Sequence, residues 1–333
     1  MFVLQSYAWA VAFCVITMFC WGSWANTQKL APKGWRFELF YWDYAIGVLL
    51  LAALLGLTLG SRGAVGRPFA DDLAQASAAS LRSALLGGAI FNLANILLVA
   101  AIDVAGMSVA FPVGIGIALV LGVVVNYAAD PIGSAALLFP GVLLVVVAIA
   151  LDAVAYRRLP GGEADVSTKG LALSVACGLT MGFFYRFVAA SMYSDFARPE
   201  TGKLGPYAAV FVFAAGLFLS NFILNTLMMR KPFSGPPVSY ADYFRGGLKT
   251  HLTGILGGLI WGTGMSFNIL ASGRAGFAIS YGLGQGATMV AAFWGVFVWK
   301  EFRAAPPGTS KLLAAMFACF LAGLALIILA HAL

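Results

Sequence analysis

Ten long runs of apolar residues, each bounded by charge, glycine or proline, divide the chain near 6–27, 38–59, 83–102, 107–128, 134–154, 169–193, 206–228, 250–271, 275–298 and 311–332. At a rise of 1.5 Å per residue, runs of roughly 20–25 residues cross a hydrocarbon core of about 30 Å. They are too long and continuous for barrel strands, and backbone groups cannot stay unpaired in lipid, so each predicts a membrane-spanning helix. The expected fold is an all-α integral membrane protein.

The connections leave no room for a soluble domain. The longest, 60–82 and 229–249, fall short of the ~50 residues that a domain needs. This excludes receptors with ectodomains and pumps with a nucleotide-binding module. Composition agrees, with 61% hydrophobic and 10% charged residues among 333 and a mean hydropathy of +0.92. The net charge of +7 is not a nucleic-acid signal, because the basic residues cluster at the ends of apolar runs, where lipid head groups lie. Cys14, Cys20, Cys177 and Cys319 sit inside apolar stretches without CxxC spacing, and His251 and His331 are the only histidines. Neither a disulfide framework, a metal site nor a cofactor is expected.

Alternate connections differ in charge. One set carries thirteen Lys and Arg, among them Lys29, Arg36, Arg157, Arg230, Lys249 and Lys300, and the other carries six, among them Arg67, Arg82 and Arg198. By the positive-inside tendency the first set faces the cytoplasm of a plasma-membrane protein and both termini lie outside. Met1–Ser6 has no positive charge on its side chains and no small-residue cleavage site follows at Trp21–Trp24, so the first run reads as a retained span.

An internal repeat organises the runs. A shift of 170 residues lays Leu86-Gly87-Gly88 on Leu256-Gly257-Gly258, Phe91 on Trp261, Gly106 on Gly276, Phe111 on Tyr281, and Gly114 and Gly116 on Gly284 and Gly286, while a shift of 160 lays Gly22 on Gly182. The expected organisation is a five-helix repeat over 1–154, a cytoplasmic linker over 155–168 and a second five-helix repeat over 169–333. Five is odd, so the second copy enters the membrane from the opposite side. Such inverted repeats enclose a central site in many secondary transporters.

These residues also carry a resemblance. Gly22-Ser23-Trp24, Trp42-Asp43-Tyr44, Leu57-Thr58-Leu59-Gly60, Gly106-Met107-Ser108, Asn126-Tyr127, Leu138-Phe139-Pro140-Gly141-Val142, Ala275-Gly276-Phe277-Ala278, Phe293-Trp294-Gly295-Val296 and Glu301-Phe302-Arg303 run nearly end to end. The chain resembles the drug/metabolite transporter superfamily, and within it the ureide permeases, which are similar in turn to bacterial glucose/ribose porters. The resemblance implies a ten-helix carrier, commonly driven by protons, that moves neutral polar solutes such as allantoin and nucleobases, or sugars in the sister group. Two departures stand out: residues 155–168 are short where plant members carry a long cytosolic loop, and Arg186 stands where a small or apolar residue is expected.

Several side chains are candidates for binding substrate. Trp21 and Trp24 share a face of the first helix, where they stack on a heterocycle or a sugar or else belong to an interfacial aromatic belt. Asn92 and Asn95 share a face of the third, as amide ligands or as interhelical contacts. Trp261 and Asn268 lie on one stripe of the eighth, and Tyr281, Gln285 and Thr288 form one polar face of the ninth. Arg186 within a span faces a polar pathway, there binding substrate or pairing with an acid such as Asp195, or snorkels to the surface. Asp43 is the acid deepest within a span, either a proton-coupling group, because desolvation favours a neutral carboxyl, or an anchor paired with Lys33 or Arg36. Glu301 is expected to pair with Arg303 or Lys311, and Asp103 to lie at a cytoplasmic helix end. Glycines 282, 284 and 286 read as close helix packing, not a dinucleotide-binding run.

The leading function is a secondary active transporter of a small polar metabolite such as a ureide or nucleobase, with a sugar or an organic anion or drug as alternatives. An intramembrane enzyme needs a nucleophile with a base, paired acids or a metal cluster, and the spans supply none. A passive channel remains the third class.

Overall fold

The computed structural model describes residues 1–159 and 168–331; residues 160–167, within the expected linker, lie outside it. The long helices are α1 (Tyr7–Ser23), α2 (Phe37–Leu57), α3 (Ala78–Ala105), α4 (Gly116–Ala129), α5 (Ala135–Arg157), α6 (Thr168–Ser191), α7 (Pro206–Asn221) and α8 (Leu248–Ala275), followed by the short α9 (Phe277–Gly284) and by α10 (Thr309–Leu329). Their starts follow local chemistry. The hydroxyls of Ser6 and Ser77 accept backbone N–H groups at the first turns of α1 and α3, and Pro206 opens α7, where its missing N–H is not needed.

Among the described residues nine helices are long and apolar enough to cross a membrane. The run expected over 275–298 is not one continuous helix. Gln285 and Gly286 form a turn between α9 and a second segment, Ala287–Phe293, and a π-turn covers Trp294–Val298. Glycines at 282, 284 and 286 remove side-chain support from this stretch, and Gly286 N–H bonds the Leu283 carbonyl three residues back instead of four. A π-turn also replaces regular helix at Phe111–Ile115, where Pro112 has no N–H to give. Trp24 lies in a 3₁₀ segment, Trp24–Leu30, that continues α1.

Large apolar side chains face outward as well as inward. Leu50, Leu54, Leu143, Leu219 and Leu321 are exposed on the long helices, a surface suited to acyl chains and not to water.

Two ends of the bundle are distinct. At one, the N-terminal residues meet the connection after α2: Met1 N donates to the Val65 carbonyl and Phe2 N–H to Leu59 O. There Ser77 N–H bonds Gly202 O, and Ser134 N–H bonds Ala330 O. At the other, the Lys29 ammonium sits 3.9 Å from the Trp299 ring centroid, Arg36 donates to the carbonyls of Ser234 and Pro236, and Tyr156 donates to Glu301. This second end gathers the lysine- and arginine-rich connections.

Helices α3 and α8 have the same length, 28 residues, and each ends on a glycine in a backbone conformation closed to other residues, Gly106 at φ 75°, ψ 164° and Gly276 at φ 81°, ψ 157°. The two glycines lie at opposite ends of the bundle. The tightest crossings match too: a β-carbon on Gly88 would sit 2.0 Å from Phe213 O in α7, and one on Gly258 would sit 2.1 Å from Tyr44 O in α2.

Candidate functional site

Aromatic side chains from α1, α2, α3, α6, α7, α8 and α9 fill the middle of the bundle. Trp261 in α8 stacks on Trp21 at 5.8 Å and 15° between planes, meets Phe91 of α3 at 4.4 Å and Phe213 of α7 at 6.0 Å, and is 4% exposed. The Trp21 indole N–H donates to the Trp261 carbonyl at 3.3 Å. Trp24 leans on Tyr44 of α2 at 4.6 Å. The sequence candidates Trp21 and Trp261 thus meet, and Trp24 joins them through Tyr44.

A polar knot lies beside these rings. The Tyr185 hydroxyl donates to Asn268 Oδ1 at 2.7 Å and lies 3.1 Å from Ser280 Oγ, while Asn268 Nδ2 donates to the Ser280 carbonyl at 2.7 Å. The Tyr281 hydroxyl donates to the carbonyls of Ala118 and Met181. Gly284 gives the room, since a β-carbon there would sit 2.8 Å from both Asn268 Nδ2 and the Trp21 ring. Gln285 and Thr288 stay apart from this knot. Both are half-buried, and the Thr288 hydroxyl bonds back to the Gln285 carbonyl at 2.9 Å.

Asn92 and Asn95 share a face of α3 and turn to different neighbours. Asn92 Nδ2 donates to Ser220 Oγ at 2.8 Å and to Asn221 Oδ1 at 3.0 Å on α7. Asn95 Nδ2 donates to the Tyr41 hydroxyl at 3.2 Å on α2. Asn92 Oδ1, Asn221 Nδ2 and Asn225 Oδ1 are buried and lack a hydrogen-bond partner.

A cleft of about 280 Å³ opens at the basic end, lined by Gln28, Trp35, Arg36, Phe37, Glu38, Val99, Asp103, Met228, Phe233 and Ser234 among others. Arg36 pairs with Glu38, and Ser234 donates to Asp103 at 3.2 Å. Phe37 on its wall begins a ladder of rings: Phe37 to Tyr41 at 5.1 Å, Tyr41 to Tyr44 at 5.2 Å, and Tyr44 to Trp261 at 6.1 Å. The cleft is therefore linked to the central cluster by a chain of packed rings, stacked from Phe37 to Tyr44 and edge-on at Trp261.

Asp43 is 1% exposed on α2. His251 Nδ1 of α8 lies 2.9 and 3.0 Å from its two oxygens, and the Tyr243 hydroxyl donates to Oδ1 at 2.6 Å. Burial and the neighbouring carboxylate push the Tyr243 phenol upward. Gly254 makes the approach possible, since a β-carbon there would sit 2.4 Å from Asp43 Cβ.

Several expected pairings differ. Arg36 takes Glu38, and Asp43 takes His251 and Tyr243 in place of Lys33 or Arg36, because Asp43 faces α8 and the short helix Tyr240–Phe244 that precedes it. Asp195 pairs with Arg198 at 3.6 Å, an i,i+3 neighbour nearer than Arg186. Arg186 itself is half-buried beside Tyr185, without a hydrogen bond or ion pair to the described residues. Glu301 accepts from Tyr156 at 2.8 Å in place of Arg303 or Lys311. Met107, Ser108 and Phe111 lie on described backbone, but their side chains are outside the description.

Tyr41, Tyr44, Tyr243 and His251 are not among the binding candidates read from the sequence, Tyr44 entering only within the motif Trp42-Asp43-Tyr44 and His251 only as one of two histidines. The i, i+4, i+7 spacing of Phe37, Tyr41 and Tyr44 was a readable stripe. Nothing local marks His251 or Tyr243.

The family model for ureide permeases matches residues 40–169 and 162–330. Ureide permeases 2 and 1 of Arabidopsis thaliana are each 24% identical, over 392 and 383 residues, covering 98% of this chain and 98% of theirs. A probable ureide permease A3 of Vigna unguiculata is 24% identical over 369 residues, covering 90% and 97%. A solved crystal structure shares the fold at a TM-score of 0.58 and 16% identity, over 98% of this chain and 99% of that one.

Proposed function

Because the chain belongs to the ureide permease family, a family of multi-pass membrane proteins, we propose that it is a secondary active transporter that takes up a small polar metabolite, a ureide or a nucleobase, by alternating access coupled to protons. In this reading it is a member of the drug/metabolite transporter superfamily in the plasma membrane, with both termini outside. Its ten apolar stretches form two inverted five-helix repeats, over 1–154 and 169–333, joined by a cytoplasmic linker. The matched lengths of α3 and α8 and the matched glycines at their ends support the repeat.

The observation that carries the reading is the ring ladder between the cleft and the stacked pair Trp21 and Trp261. Flat aromatic faces bind a planar heterocycle at little conformational cost. Trp21, Trp24, Asn92, Asn95, Trp261, Asn268, Tyr281, Gln285 and Thr288 are the proposed lining, with Arg186 as the charged side chain that sets which substrates are tolerated. Asp43, held by His251 and Tyr243, is the proposed proton carrier. The carboxylate binds both groups of the second half from the first, so a proton on it alters a contact between the halves.

Uptake into proteoliposomes tests the function. With an imposed proton gradient, radiolabelled allantoin, uracil or xanthine is expected to accumulate above the external concentration and to leak back when a protonophore is added. Accumulation of glucose or ribose alone assigns the sugar alternative, equilibration without accumulation assigns a channel, and no uptake of any of the five removes both substrate classes.

A further inference from the structure

We propose that Tyr41, Tyr44 and Asn95 form a filter between the cleft and the central rings that selects flat solutes bearing adjacent N–H and C=O groups. This deepens the transport reading above and rests on it.

Tyr41 and Tyr44 stand at i and i+3 on α2, with ring centroids 5.2 Å apart and planes 13° from parallel. Tyr41 also stacks on Phe37 in the cleft wall at 5.1 Å and 25°. Across from them on α3, Asn95 lies one turn before Val99, another residue of the cleft wall. These three side chains therefore occupy the step between open space and the packed centre.

Their hydrogen bonding is incomplete. Asn95 Nδ2 reaches the Tyr41 hydroxyl at 3.2 Å, a long bond. The Tyr44 hydroxyl is fully buried, and its contact with the neighbouring Asn95 amide falls short of hydrogen-bond geometry. An unpaired buried phenol is unfavourable, and natural structures keep few such groups. A passing carbonyl accepts from the Tyr44 hydroxyl or from the Asn95 NH₂, and the adjacent N–H donates to the Asn95 carbonyl or to a phenol oxygen. The flat ring of the solute meanwhile lies against the tyrosine faces. A pyranose offers hydroxyls without a flat polar edge, and an apolar solute leaves the phenol and the amide unsatisfied.

Tyr44→Phe keeps the ring and removes the hydroxyl, and Asn95→Leu removes the amide at similar volume. In proteoliposomes the KM for allantoin is expected to rise about tenfold in each, the size of one lost neutral hydrogen bond. In detergent, allantoin is expected to raise the melting temperature of the wild type and not of Tyr44→Phe, a readout independent of turnover. Wild-type uptake with both variants within twofold of its KM overturns the filter and leaves the transport reading standing. No uptake and no thermal shift in the wild type removes both.

Discussion

Trp261 receives rings from Trp21, Tyr44, Phe91 and Phe213, four different helices, so the centre of the molecule depends on one indole. Trp261→Ala leaves a cavity that its neighbours cannot fill, and a loss of about 3–5 kcal/mol is expected from buried large-to-small changes. Trp261→Phe is expected to cost less, and thermal melting in detergent ranks the two. Asp43 gives a functional counterpart. In the proposed mechanism Asp43→Asn and His251→Gln abolish accumulation driven by a proton gradient, while counterflow exchange of labelled for unlabelled substrate persists. Loss of exchange together with accumulation would assign these residues to structure instead. The carboxylate was legible in the sequence by its depth within a run. Its partners were not, because Tyr243 and His251 lie 200 and 208 residues away and no periodicity links them. Asn92 shows the converse case: an amide readable as a ligand that holds α3 to α7 through Ser220 and Asn221.

At the scale of elements, glycine sets where helices cross. Gly258 lets α8 touch the backbone of α2, and Gly88 lets α3 touch α7, so Val at either position forces the helices apart. Overpacking of this kind costs roughly 1–3 kcal/mol, measurable as a lower melting temperature for Gly258→Val and for Gly88→Val. The 170-residue register exposed both positions in the sequence, whereas Gly47, whose α-carbon would lie 2.8 Å from a β-carbon on Gly258, carried no such mark. Helix positions were legible to within a few residues because lipid demands long apolar runs. The break at Gln285–Gly286 was not, since glycine alternation reads equally as close packing. A second element shows what charge adds. The short helix Phe69–Gln75 clasps the connection before α7: Gln75 donates to Lys203 O and accepts from Gly202 N–H, and Asp72 accepts from Gly205 N–H and pairs with Arg67 at 3.1 Å. Burial raises the Asp72 carboxyl above its ordinary range despite the bonds from Gly205, Arg67 and Gln75. A raised acid favours the clasped state when protonated, so its contribution is full at pH below about 4, the ordinary carboxylate value, and is lost as pH rises through the shifted value. Above that the dependence is flat. Melting of the wild type relative to Asp72→Asn, followed from pH 4 to 7, is expected to fall with rising pH and then level off; a difference rising with pH contradicts the sign.

Across the whole molecule the two ends are in different conditions. The basic end is open at the cleft, and the other is closed by the clasp of Asp72 and Gln75 on residues 202–205. Between them the ring ladder and the packed centre bar a direct path. In the proposed inverted repeat this is one of two alternating states, open to the cytoplasm, and its mirror would open the clasp and shut the cleft. Thiol chemistry reads the states directly. In a background lacking Cys14, Cys20, Cys177 and Cys319, Val99→Cys in the cleft wall is expected to react with an impermeant maleimide from the cytoplasmic side of inside-out vesicles and not from the outside of right-side-out ones. Joining Gln75→Cys to Lys203→Cys with a short bifunctional thiol reagent holds the clasp shut. Net uptake should then stop, while Val99→Cys keeps its reactivity from the cytoplasmic side. Equal labelling from both sides contradicts a one-sided cleft, labelling only from outside reverses the proposed orientation, and undiminished uptake through a joined clasp means that this face is not the gate.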